Sequence, residues 1–323
     1  MGDEICLKKA KLILIATLLL SGCSTIENES KKDRNTETNT ETKSLPEEME
    51  ASKYVGQGFQ PPAEKDAIEF VKKHKDKFAK RGEQFFMDNF GLKVKATNVV
   101  GSGDGVEVFV HCDDHDIVFN ASIPFDKSII DSNSSLRSED KGDDMSTLVG
   151  TVLSGFEYRA HKEELDSLTE VLKEYKSKYK YTGYTENAIM KTQNSGFRNE
   201  YYYLTAIPYT LDEYKKYFQP LIKEDDKTFS DGMKNSKKQL KDKSRPYIVT
   251  TLFSTKDNFT KDNTIDEMID FSEVLKKKKN IPHDLNVSLQ ISNKYINTKR
   301  PNYSKKDVIE VGVFNHEKVN TND

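Results

Sequence analysis

The stretch EVFVHCDDHDIVFNASI (Glu107–Ile123) alternates apolar and polar side chains on both sides of an acidic centre. A period of two, broken by a short polar segment, marks two antiparallel strands with one buried face. With Asp113-Asp114 at the turn, Cys112 pairs with His115, His111 with Asp116 and Val110 with Ile117. Directly opposite residues share a face. One face then carries Val106, Val108, Val110, Cys112, His115, Ile117, Phe119 and Ala121. The other carries Glu107, Phe109, His111, Asp116, Val118 and Asn120. A one-residue slip would set Val108 opposite Asn120 and mix the faces, so the first register is preferred.

The same stretch concentrates chemistry. On a helix, His111 and His115 would share a face and suggest zinc, with Asp116 as a third ligand. On a hairpin the two imidazoles point to opposite sides, which disfavours a local metal site, and no metal is expected. Cys112 beside His115 is the minimum for nucleophilic catalysis, given a third group to orient the ring. The competing reading makes Cys112 a small apolar residue on a hydrophobic face, with His115 at its rim.

Elements flank the hairpin on both sides. Pro61-Pro62 opens a helix in which Ala67, Val71, His74, Phe78 and Phe85 recur at helical spacing to about Met87, with Gly91 as the stop. Lys93–Val100 reads as a strand joined to the hairpin by the glycine-rich turn Gly101–Gly105. That turn links two strands rather than opening a helix, so it lacks the geometry of a phosphate cradle. Asp131–Asp144 reads as an acidic loop. Apolar stripes follow at Met145, Leu148, Val149, Val152 and Phe156, then at Leu165, Leu168, Leu172, Tyr175 and Tyr179. Tyr201–Ile207 and Tyr247–Phe253 are strand-like, and each precedes a capping-box tetrad, Thr210–Glu213 and Thr264–Glu267. Strands near Leu285–Ile291 and Val308–Phe314 close the chain. Helices and strands come in blocks, which predicts an α+β fold with a mostly antiparallel sheet and packed helices. Two αββ-type lobes, 61–135 and 145–318, are compatible with this order within a globular region 61–318, followed by a disordered tail 319–323.

Composition narrows the function. Of 323 residues, 32% are charged, yet the formal net charge is only −3. Dedicated nucleic-acid binding would show a strongly basic domain, so no nucleic-acid partner is expected. Tryptophan is absent, which excludes Trp-lined sugar grooves but not Tyr-lined ones. The tyrosines Tyr175, Tyr179, Tyr181, Tyr184 and Tyr201–Tyr203 suit packing with a wet hydroxyl, or alternatively a ligand-stacking surface.

The N-terminus supplies an address. Lys8, Lys9 and Lys11 precede the apolar run Leu12–Leu20, too short for the roughly 20 residues that span a bilayer. A basic flank, a short apolar run and small residues predict a cleaved export signal over 1–22. Leu20-Ser21-Gly22-Cys23 resembles the lipobox of bacterial lipoproteins. That resemblance implies a thioether-linked diacylglycerol on Cys23, with palmitate-type acylation of the new N-terminus. Several acyl chains hold a protein stably at a membrane where one does so only marginally. With Cys23 modified, Cys112 has no disulfide partner in the mature chain. Residues 23–60 are rich in Thr, Asn, Glu and Lys and are expected to be a disordered tether, spanning roughly 30–35 Å as a coil.

The stretches KKAKLILIATLLLSGCSTIE (Lys8–Glu27) and FVHCDDHDIVFNASIPFD (Phe109–Asp126) resemble an uncharacterised lipoprotein family of low-GC Gram-positive cocci, defined only as a domain of unknown function. The resemblance covers nearly the whole chain and implies attachment to the cell membrane through Cys23 on the extracytoplasmic face. It implies no activity and no cofactor beyond the covalent lipid. The expected role is a non-enzymatic surface protein whose partner is a cell-wall polymer, a host factor or another protein. An envelope enzyme using Cys112 and His115 is the alternative. A transporter's solute-binding subunit is disfavoured because the repeated βαβ pattern is missing.

Overall fold

The computed structural model describes residues 45–131, 143–301 and 308–316. The expected signal 1–22, the lipidation site Cys23, most of the acidic loop and the tail 319–323 lie outside the described residues.

Twelve strands and seven helices follow one another among the described residues. Strand β1 (Glu48–Glu50) precedes helix α1 (Lys65–Phe90), which leads into β2 (Val94–Ser102), β3 (Gly105–Asp114) and β4 (Ile117–Phe125). Helices α2 (Asp143–Ala160) and α3 (Lys162–Tyr175) come next, then β5 (Tyr181–Thr182), α4 (Glu186–Thr192), β6 (Ser195–Arg198) and β7 (Tyr202–Thr205). A short α5 (Leu211–Glu213) runs through a π-turn into α6 (Asp226–Gln239). The order closes with β8 (Tyr247–Thr250), β9 (Leu252–Ser254), α7 (Lys261–Lys276), β10 (Asn286–Ser292), β11 (Tyr295–Asn297) and β12 (Ile309–Phe314).

One sheet of ten strands holds all of these except β1 and β11, which pair with each other. Neighbours are antiparallel except where β8 and β9 run parallel to β10, a pairing that α7 makes geometrically feasible as a crossover. The fold is therefore α+β with a mostly antiparallel sheet, as the block order predicted. The two lobes are not separate bodies. Strand β4 hydrogen-bonds directly to β6 through Asn120 and Gly196, so the sheet runs unbroken across the expected boundary.

The core divides by helix layer instead. Phe78, Phe86 and Phe90 of α1, with Val149, Val152 and Phe156 of α2, cover the apolar face of β3 and β4. Each fully buried Phe contributes about 1.5–3 kcal/mol. Gly82 sets the approach of α1, since a Cβ there would stand 2.6 Å from Val108 Cγ1. Gly91 ends the helix in the left-handed conformation (φ 69°), its N–H returning to Met87 O at 3.1 Å. A second cluster, built on Leu165, Leu168, Leu172, Phe271 and Leu275, lets α3 and α7 cover β7, β8, β10 and β12.

Three expectations are corrected here. The hairpin turn lies at His115-Asp116, with φ of 54° and 60°, not at Asp113-Asp114. Cys112 therefore faces Phe119, His111 faces Asn120, and Asp114 faces Ile117. The register moved by an even number, so the apolar face kept its membership apart from His115. The capping box forms at Thr210 and Glu213, but the one placed at Thr264 does not. Thr260 caps that helix, leaving Thr264 buried inside it.

The third correction concerns the tether, drawn to residue 60. Residues 45–60 pack as a strap. β1 pairs with β11, Ala51 and Tyr54 are buried, and Phe59 meets Phe109 edge-on at 5.3 Å. Phe109 is 50 residues from Phe59, and the partners of β1 and Tyr54 lie more than a hundred residues away, beyond the reach of local composition.

Candidate functional site

The residues singled out in the hairpin are not brought together. Cys112 is buried in the core, where its thiol donates weakly to Lys93 O at 3.5 Å, and desolvation pushes its pKa up to about 12. His115 stands exposed in the turn with its Nδ1 2.9 Å from Asp114 Oδ1. A cross-strand thiol–imidazole pair does not exist in this register. His111 Nδ1 lies 3.1 Å from Asn120 Oδ1 on the other face, and Asp116 accepts from Lys162 Nζ at 2.5 Å. The Lys162 hydrogen bond holds the Asp116 carboxyl below the usual range. His111, His115 and Asp116 thus occupy three separate environments.

A His/carboxylate cluster that the sequence did not suggest sits where α2 meets α3. His161, Glu164 and Asp284 place their donor atoms within 4.8 Å of one another, beside a cavity of about 540 Å³. Ligands held at 2.0–2.1 Å around a tetrahedral ion stand about 3.3 Å apart. Arg159, Lys162, Lys234 and Lys237 line the same cavity, and Lys237 Nζ is 2.5 Å from the buried Glu157 carboxylate. His161 Nδ1 is 3.2 Å from Glu164 Oε2, and the ion pairs Arg159–Asp226 and Lys237–Glu157 border the same cavity.

A larger cleft, about 660 Å³, opens on the sheet face opposite α3 and α7. Its floor follows from strand alternation. Phe197, Tyr202, Leu204, Leu289 and Ile309 point into the helix-covered core, so Arg198, Tyr203, Gln290 and Glu310 must point the other way. The registers Arg198↔Tyr203 and Gln290↔Glu310 set these side chains side by side across the sheet. The Arg198 guanidinium carbon lies 5.0 Å from the Tyr184 ring centroid and 5.1 Å from that of Tyr203, within cation–π range of both. Arg198 Nη1 donates to Gln193 Oε1 at 2.8 Å.

The cleft also contains a break in a strand. Between β8 and β9 the ladder to β10 is completed by a side chain: Gln290 N–H donates to Thr250 Oγ1 at 2.7 Å, and that hydroxyl donates to Gln290 O at 2.9 Å. The neighbouring Thr251 lines the cleft, 1% exposed, with its Oγ1 lacking any partner. Arg198 Nε is likewise buried without one. Unpaired buried polar atoms are rare because each costs about 1–3 kcal/mol. Of the five such side-chain atoms among the described residues, two line this one cleft.

Tyr184 and Tyr203 belong to the tyrosine group already noted in the sequence, for which a stacking surface was the alternative to packing. Arg198 was missed. It sits in an unremarkable NSGFRNE segment, and its partners come from five other places in the chain. Among the described residues no helix is long and apolar enough to cross a membrane.

Comparison with curated proteins returns no match. Among solved structures, the chain is similar to a crystal structure of a DUF1672 family protein from Staphylococcus aureus subsp. aureus Mu50. The two are 96% identical with a TM-score of 0.84, over 85% of this chain and all of that one. The family model described as "Protein of unknown function (DUF1672)" matches residues 41–318, which takes in the strap, both helix layers and every wall of the Arg198 cleft. The chain accordingly belongs to the DUF1672 family.

Proposed function

We propose that this protein is a lipid-anchored binding protein on the extracytoplasmic face of the cell membrane, holding an envelope component in the cleft around Arg198. The anchoring half of the reading rests on Leu20-Ser21-Gly22-Cys23 and the basic and apolar segments before it. One observation carries the binding half: a roomy polar cleft that leaves two buried hydrogen-bonding atoms unsatisfied. Ligand pockets typically measure about 300–1,000 Å³ and orient their guests with a few placed polar groups. Binding is the reading because the two unpaired atoms, one N–H and one hydroxyl, suit holding a guest by hydrogen bonds.

The anchor is tested by feeding cells an alkyne-tagged fatty acid and comparing wild type with Cys23→Ser. Label on the wild type in the membrane fraction, and an unlabelled variant that is no longer retained there, is the expected pattern. An unlabelled wild type, or a Cys23→Ser chain equally labelled and retained, would refute it.

A further inference from the structure

We infer that the cleft recognises a short zwitterionic peptide, with its carboxylate on Arg198 and its amino end toward Glu310. This deepens the binding reading above and rests on it.

The argument begins with the guanidinium. Gln193 already takes one Nη1 hydrogen of Arg198, and two tyrosine rings lie within cation–π range of the planar group. Its Nε–H is left without a partner. An Arg edge of two parallel N–H groups matches a carboxylate bidentately. Glu310 is exposed on β12, and one of its oxygens accepts from Ser288 Oγ at 2.6 Å. A negative charge in the same cleft repels a doubly charged guest such as a phosphate monoester and attracts an ammonium group.

Strand spacing then sets the length. The order β6-β7-β8-β10, with β12 beyond β10, puts Arg198 and Glu310 four strands apart. At about 4.8 Å per strand the backbones are about 19 Å apart, before the side chains reach inward. An extended peptide of three to five residues covers about 10–17 Å. Between the charges the lining is neutral and able to pair with amides: Thr251 and Gln290. Thr251 Oγ1, buried and unpartnered, is placed to bond one peptide group of the guest.

The test uses the full-length chain in detergent micelles and ligand-observed NMR. The probes are trialanine, trialanine amide, N-acetyltrialanine and N-acetylglucosamine, with sedimentation on purified cell-wall sacculi alongside. Trialanine should bind at least tenfold tighter than its amide, and Arg198→Met should abolish that preference. Glu310→Gln should reduce the preference for the free over the acetylated amino end. Thr251→Val should weaken every peptide several-fold without changing either preference. Circular dichroism melts of all three variants identify any that fail to fold, and the remaining ones decide. Equal binding of acid and amide, or stronger binding of the sugar, overturns the peptide assignment. Retention on sacculi that is lost in Arg198→Met, with no trialanine bound, also overturns it but keeps the cleft as a binding site. Neither trialanine binding nor sacculus retention would end both readings.

Discussion

Cys112 and His115 are three residues apart and chemically strangers: the thiol lies in the core against Lys93 O, and the imidazole stands in a left-handed turn in solvent. With its pKa pushed up to about 12, Cys112 holds only about one thiolate in 10⁴–10⁵ at pH 7.5. Labelling of Cys112 in a chain carrying Cys6→Ser and Cys23→Ser should therefore track global unfolding and accelerate with denaturant. Rapid native-state labelling at neutral pH would contradict this burial.

The turn itself offers a second test. His115 and Asp116 both adopt positive φ, a two-residue hairpin geometry that favours Asn-Gly. His115→Val places a β-branched side chain there and should lower stability by about 1–2 kcal/mol in urea titration. His115→Asn with Asp116→Gly should hold or raise stability, because the lost Lys162 pair is exposed and worth under about 1 kcal/mol. A stable His115→Val chain would show that this turn is not formed.

Asp242 makes a pH-dependent contribution. Burial raises its pKa, but hydrogen bonds from Ser244 and from the Tyr209 hydroxyl outweigh that and leave it below the usual value. The folded state then binds the proton less readily than the unfolded chain. The stabilisation is complete above the unfolded pKa of about 3.9 and is lost as pH falls through the lower folded value. Asp242→Asn should cost about 1 kcal/mol at pH 7, after allowing for its partial exposure, and almost nothing near pH 2. Urea melts at the two pH values measure the difference, and an equal cost at both would contradict the linkage.

The strap makes a stronger prediction. Tyr54 is fully buried, and its hydroxyl donates to Thr298 O at 2.8 Å. Tyr54→Ala should cost about 3–5 kcal/mol, as for other large aromatic truncations. A chain beginning at residue 45 should melt like the full-length protein, whereas one beginning at residue 61 should melt far lower. Matching melting curves for the two truncations would return residues 45–60 to the tether.

Much of this architecture is visible in the sequence because it is local. Alternation in Val106–Phe125 defines a buried face even with the turn misplaced, since an even shift preserves which side chains point inward. Thr210 and Glu213 find each other across a single helical turn. What fails is what depends on distant partners or on competition between neighbours. Thr260 and Thr264 both qualify as caps, and the sequence offers no way to see that the helix extends to the earlier one. Tyr54 lies in a polar stretch and is held by Thr298 and Thr185. The Arg198 cleft is assembled from segments spread between residues 184 and 310, so no window of sequence contains it.

The strap has a mechanical consequence. Tyr184 forms part of the cleft wall beside Arg198, and it also packs in the small core with Tyr54. A push on the strap at Tyr54 would reach the guanidinium of Arg198 through one shared ring, so the small core and the cleft answer to the same brace.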